Sequence, residues 1–223
     1  LPEQVELDVR HDLAMGDFNQ AKLALLAKDR ARAESLFDSA RQEFAKLLES
    51  ARENPTYRSE YASCLRLLAD MKPDQEAAPL YAQAQKELAK LVEQNPDVPS
   101  YKVTLAGVDL NLGQAEYEQQ HDDKALEYTQ EATGLLLDVV GSQAANAGYR
   151  RDVATALKLK ATLETALERQ SEARNTVRRL HDLLEVFHRQ FPDDLDLPDL
   201  LKQTHEVMAA LGIPDPSSTQ TDP

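Results

Sequence analysis

Ala125-Leu-Glu-Tyr-Thr129-Gln-Glu-Ala132 is one of four related strings in this chain. Ala77-Ala-Pro-Leu-Tyr81-Ala-Gln-Ala84 begins 48 residues before it, and Ala173-Arg-Asn-Thr-Val177-Arg-Arg-Leu180 begins 48 residues after it. Ala33-Glu-Ser-Leu-Phe37-Asp-Ser-Ala40 begins 44 residues before Ala77. A small residue, a larger one four positions on and a small or apolar one at seven share one face of a helix. Recurrence at a near-constant period is the mark of units that bury their apolar faces against their neighbours.

Outward from these strings, apolar residues recur at three- and four-residue spacing almost throughout, broken at intervals by Pro, Asn, Asp or Gly. The pattern predicts helices over 4–28, 30–52, 57–71, 75–94, 99–120, 122–141, 146–168, 170–190 and 197–211. Asn54-Pro55 and Asn95-Pro96 end helices because a residue before proline is pushed out of the α region. Asp74 and Asp122 are the expected N-caps of their helices. Good helix formers dominate, and no segment has the alternation of a strand. The expectation is an all-α, right-handed solenoid of antiparallel helix pairs, each an A helix followed by a B helix. Its units are 4–52, 57–94, 99–141 and 146–190, closed by a capping helix at 197–211, all in one domain over 1–212. A compact bundle of the same helices is the alternative. Residues 213–223 have almost no core-forming side chains and are expected to be a disordered tail.

The formal charge of −14 argues against a nucleic-acid surface, which needs clustered Lys and Arg. It also disfavours an anionic membrane. The longest apolar run, Gly134 to Val140, falls far short of the roughly 20 residues that span a bilayer. A cytoplasmic location is expected. Because the chain opens on Leu1, a removed targeting or membrane segment stays open. The single cysteine, Cys64, forms no internal disulfide and is read as a small buried hydrophobe.

Within 106–132 the chain reads Ala-Gly-Val-Asp-Leu-Asn-Leu112-Gly113-Gln-Ala-Glu-Tyr117, then Ala125 and Ala132. Gly113 precedes Ala125 by twelve residues, and Ala125 precedes Ala132 by seven. This resembles the tetratricopeptide (TPR) repeat, with Ala21, Ala69 and Ala161 standing where Gly113 does. The period exceeds the usual 34, and Glu116 stands where the family has Tyr. Repeat starts such as Asn95-Pro-Asp-Val-Pro-Ser-Tyr101 and Gly148-Tyr149-Arg-Arg-Asp-Val-Ala154 resemble the arrays that follow the kinase module in large bacterial serine/threonine kinases. No kinase signature occurs in the sequence itself.

His181, Glu185 and His188 share a helix face at a spacing a metal could use, but they flank the apolar stripe Val177, Leu180, Leu184 and Phe187 and are read as solvated. Asp122-Asp123 and Asp193-Asp194 lie at helix N-termini, where the macrodipole favours anions. No nucleophile elbow, phosphate loop or Cys–His signature appears, so neither an enzyme nor a cofactor nor a metal site is expected. The expected function is a protein-interaction scaffold or regulatory repeat region. The rivals are a helical small-molecule sensor and the extracatalytic region of a bacterial kinase. The resemblance implies a concave face lined by A helices, and its register places Phe18, Lys22, Arg66, Leu110, Gln114, Tyr117, Arg151, Lys158 and Thr162 on it. Four cations among them would suit an acidic or carboxylate-bearing peptide. The oligomeric state is not fixed by the sequence.

Overall fold

The computed structural model describes residues 3–214. Among them the chain forms nine helices and no strand: α1 (Glu3–Leu26), α2 (Arg30–Ser50), α3 (Pro55–Ala69), α4 (Asp74–Gln94), α5 (Pro99–Glu118), α6 (Asp122–Gln143), α7 (Ala147–Ala166), α8 (Gln170–Gln190) and α9 (Leu197–Ala210). Connections of a few residues make neighbours pack as antiparallel hairpins. The chain groups into two compact units, Leu1–Leu112 and Gly113–Pro223, with the division inside α5. In the first, α1 packs on α2, α2 on α3 and α3 on α4; in the second, α6 packs on α7, α7 on α8 and α8 on α9.

The alanines that open the four strings are at the close contacts. Ala33, Ala40, Ala84, Ala125, Ala132 and Ala173 are fully buried and Ala77 nearly so, as are the larger residues Phe37, Thr129 and Val177. A second ladder runs through the A helices. Ala14, Ala62, Ala106 and Ala154 are 48, 44 and 48 residues apart, and all are buried. Ala21, Ala69, Gly113 and Ala161 follow with the same spacing and are also buried. Gly113 is where the backbones come closest: a Cβ built there would lie 3.0 Å from Thr129 Oγ1 and 3.1 Å from the Ala125 carbonyl oxygen.

Helix ends are set by two devices. Asn54 and Asn146 cap α3 and α7, each side-chain oxygen accepting from the backbone N–H groups two and three residues on. α1, α5, α7 and α9 end through a left-handed residue, Lys28, Gln120, Glu168 and Gly212, with φ of 59–64°. The next N–H then reaches back five residues, as in Asp29 to Ala24, His121 to Glu116, Arg169 to Glu164 and Ile213 to Met208. The expected caps at Asp74 and Asp122 are displaced by one position. Pro73 and His121 hold the cap, Asp74 and Asp122 are the first residues of their helices, and in α6 the macrodipole still favours Asp122 and Asp123. Of the tail expected from 213 on, Ile213 is buried in a cluster with Ala161, Val177 and Met208; residues 215–223 lie outside the described residues.

Two arginines anchor A helices to the turns that precede them. Arg58, nearly buried, pairs with Glu87 and donates to the Arg52 carbonyl. Arg150, 92 residues on and equally buried, pairs with Asp194 and donates to the Ala144 carbonyl at 2.5 Å. Its guanidinium lies 4.2 Å over the Phe191 ring.

Candidate partner-binding groove

The second unit contains a cavity of about 650 Å³ between α7 and α9, with Tyr117 of α5 as one wall. Val177, Leu180, Ala161 and Thr204 form a buried floor; Thr162, Thr165 and Ala166 on one side and Val207, Ala210 and Leu211 on the other rise from it. Seven of the fourteen lining residues are solvent-exposed, so this is an open trough rather than an enclosed chamber. α9 reaches this position because Pro198 and Asp199 start it favourably and the Gly212 turn folds Ile213 beneath it. Two side-chain links tie the walls together: Arg151 Nη1 to Asp196 Oδ2 at 3.1 Å, and Lys158 Nζ to Gln203 Oε1 at 2.7 Å.

The structure brings Tyr117, Lys158 and Thr162 together on this trough. Arg151 lies seven residues before Lys158 on α7, its charge engaged by Asp196. Gln114 is exposed and donates to Glu118 one turn on. In the first unit, Phe18 is half-buried with its ring edge-on to Phe37 at 5.5 Å, and Lys22 Nζ lies 5.6 Å over Phe18. Arg66 pairs with Asp70 at 2.9 Å, and Leu110 is half-buried in α5. Asp70 also accepts from the Tyr81 hydroxyl at 2.6 Å, and burial together with that bond pushes the phenol's titration upward. Of the four cations, Arg66 and Arg151 are therefore ion-paired, while Lys158 is bonded to a neutral amide.

Val207, Ala210, Leu211 and Gln203 were not among the residues the sequence singled out. The signal was present: α9 follows a B helix, as the A helices of the other units do, so its outward positions were candidates for a groove. Reading it as a cap hid this.

The expectation that His181, Glu185 and His188 face solvent fails for His181. It is buried at the α8–α9 contact, its Nε2 3.1 Å from Nε2 of His205 and its Nδ1 3.3 Å from Asp182. Leu180 and Leu184 leave His181 on the margin of the stripe, and α9 closes over that margin. His188 Nδ1 is buried without a hydrogen-bond partner among the described residues. Among the described residues no three His, Cys, Asp or Glu side chains converge as a metal site would need. No helix among them is long and apolar enough to cross a membrane.

No protein-family profile matches the sequence, and no curated protein matches it. Solved structures do. The yeast histone chaperone Hif1, described as a scaffold recruiting protein complexes to core histones, superposes with a TM-score of 0.56 at 13% identity, over 94% of this chain and 96% of that one. The apo form of RapI superposes with a TM-score of 0.56 at 14% identity over 90% of this chain, which spans only 54% of RapI. The TPR-like repeats of a protein assigned as a Podosopora anserina kinesin light chain give 0.50 at 15% identity, over 94% and 98% of the two chains. At such identities the likeness carries the fold alone, and that fold is the array of antiparallel helix pairs of TPR-like repeat proteins.

Proposed function

We propose that the chain is a non-catalytic protein-interaction scaffold, and that the α7–α9 trough seats a peptide segment of a partner protein. The observation that carries this reading is the trough itself, with an apolar floor, half its lining in contact with solvent, and a lysine at the rim whose side-chain partner among the described residues is the neutral amide of Gln203. An enclosed chamber would suit a small-molecule sensor better. Its apolar floor offers an anchor pocket for one or two side chains, the arrangement in which a few buried groups carry most of the binding energy. Lys158 favours an acidic residue beside that anchor, since an incoming carboxylate replaces a neutral amide partner with a charged one. Arg66 and Arg151 contribute less, because an arriving carboxylate would first have to displace Asp70 or Asp196. In its weak likeness to kinase-associated repeats, and in a cytoplasmic setting, the chain would act as a docking region without chemistry of its own.

Fluorescence titration of peptides that pair a Leu or Phe with flanking Asp or Glu tests this. Wild type should bind in a salt-dependent manner, and Lys158→Glu and Val207→Asp should each weaken binding. Equal binding by all three proteins, or binding by none, refutes the proposal.

A further inference from the structure

Two imidazoles meet where α9 packs on α8. His181 is 6% exposed, and its Nε2 lies 3.1 Å from Nε2 of His205, with the ring centroids 5.1 Å apart. A gap of that length holds one hydrogen, so one ring donates and the other presents a bare nitrogen. Asp182 Oδ1, 3.3 Å from His181 Nδ1, accepts from that nitrogen. In the neutral ring this leaves Nε2 of His181 as the acceptor and makes His205 the donor. Nδ1 of His205 can then take up a first proton without disturbing the contact. A second proton has only Nε2 of His181 to go to, and two N–H groups would then face each other across 3.1 Å. The docked pair therefore holds one added proton, and it holds two only when the helices part.

The charged groups around the pair do not relieve that conflict. Along α8, Asp182 adjoins His181, with Arg178 and Glu185 one turn to either side; along α9, Lys202 and Glu206 flank His205. α7, which also packs on α8, brings Lys160 and Glu164, which pair with each other and meet α8 at Thr176. The acids favour a first imidazolium, but no side chain can enter the gap to accept from a second. His188 adds an independent obstacle to protonation. It lies seven residues after His181, on the same side of α8, and its buried Nδ1 has no hydrogen-bond partner among the described residues. A neutral ring can leave that nitrogen bare, whereas the imidazolium would bury an N–H with nothing to accept it.

The contact is placed to act on the trough. α9 packs on α8, and Thr204, Glu206 and Val207, beside His205 in α9, line the trough. We propose that the His181–His205 pair is an acid-released latch: with both rings protonated α9 parts from α8, and the trough loses a wall. Its consequence for a partner rests on the reading of the trough as a peptide site. The open state binds more protons than the docked one, so docking weakens as pH falls. Free imidazoles titrate near 6.5, so one excluded proton raises the open fraction about tenfold between pH 7.5 and 5.5.

Amide hydrogen exchange of the full chain, corrected for the intrinsic pH dependence of exchange, reads α9 directly. Opening of α9 should rise about tenfold from pH 7.5 to 5.5, while α4, which has no histidine, should not follow. Glutamine can turn either its N–H or its carbonyl toward His181. His205→Gln should therefore keep α9 protected at pH 7.5 and lose most of the rise, and His188→Gln/His205→Gln should lose all of it. A wild-type rise no larger than that of α4, a rise that survives in the double variant, or an α9 already open in His205→Gln at pH 7.5 overturns the latch. Peptide binding at pH 7.5 with flat exchange overturns the latch and leaves the trough reading standing. A pH-dependent α9 with no peptide bound at any pH does the reverse.

Discussion

Replacing Gly113 with alanine tests whether the repeat's glycine is there to let two helices approach. Mid-helix, Gly→Ala should stabilise by about 1 kcal/mol through propensity alone. At Gly113 the new methyl meets Thr129 Oγ1 at 3.0 Å and the Ala125 carbonyl oxygen at 3.1 Å. Neither yields easily: the second is helix backbone, and the hydroxyl is buried and bonded to that same carbonyl at 2.8 Å. Relief requires the helices to separate, an overpacking cost of about 1–3 kcal/mol. Gly134, in α6, is the matched control, with nothing within 4 Å of its built Cβ. The propensity gain is common to both variants and cancels in the comparison. Gly113→Ala should therefore fall about 1–3 kcal/mol below Gly134→Ala, a gap of about 2–10 °C in thermal midpoint for a chain of this size. Circular dichroism melts measure it. Thr129→Ala in the Gly113→Ala background should recover part of the loss, and the double-mutant cycle isolates that coupling. If Gly113→Ala melts with or above Gly134→Ala, close approach is not what the glycine serves.

Asp194→Asn leaves the buried Arg150 guanidinium without its counter-charge and should destabilise by about 3 kcal/mol in urea titrations. The hydrogen bond from Arg150 holds the Asp194 carboxyl below its ordinary range despite burial. A carboxyl lowered by folding adds stability that is complete above the unfolded range, near pH 4, and lost as pH falls through the lowered value. Asp194→Asn should thus flatten the acid limb of a stability-versus-pH curve. Cys64 is fully buried, and burial pushes its thiol upward, so alkylation at neutral pH should proceed only on unfolding; rapid labelling of the native protein would contradict its place in the core. Glu168 has a φ of 59°, so Glu168→Gly should raise stability by about 0.5 kcal/mol, whereas Glu172→Gly within α8 should lower it by about 1 kcal/mol.

The helices were readable because their breaks are local chemistry. Asn54-Pro55, Asn95-Pro96 and Phe191-Pro192 break a helix by local chemistry, and the observed ends lie within about two residues of those expected. The caps at Pro73 and His121 were missed because proline and histidine rarely fill that position, while an eligible Asp follows each. The groove was harder to read. The partners of Arg151 and Lys158 are Asp196 and Gln203, 45 residues away, and no helical period reports whether such a pair will close. His181 shows the same limit, since it is burial by α9 that sets its surroundings, not its own helix.

The two ladders explain why the A helices look less amphipathic than the B helices. An A helix such as α7 is covered on one side by α6 and on another by α8, so apolar residues must occupy both sides and the 3.6-residue contrast is lost. α8 keeps a clean stripe of Ala173, Val177, Leu180, Leu184 and Phe187 against an outer face of charge. α1 is mixed in a similar way: Ala14, Ala21 and Ala24 are buried, while Leu13 and Leu23 are exposed. An apolar residue outside the buried stripe flattens the 3.6-residue contrast whether a neighbouring helix covers it, as in α7, or water does, as in α1.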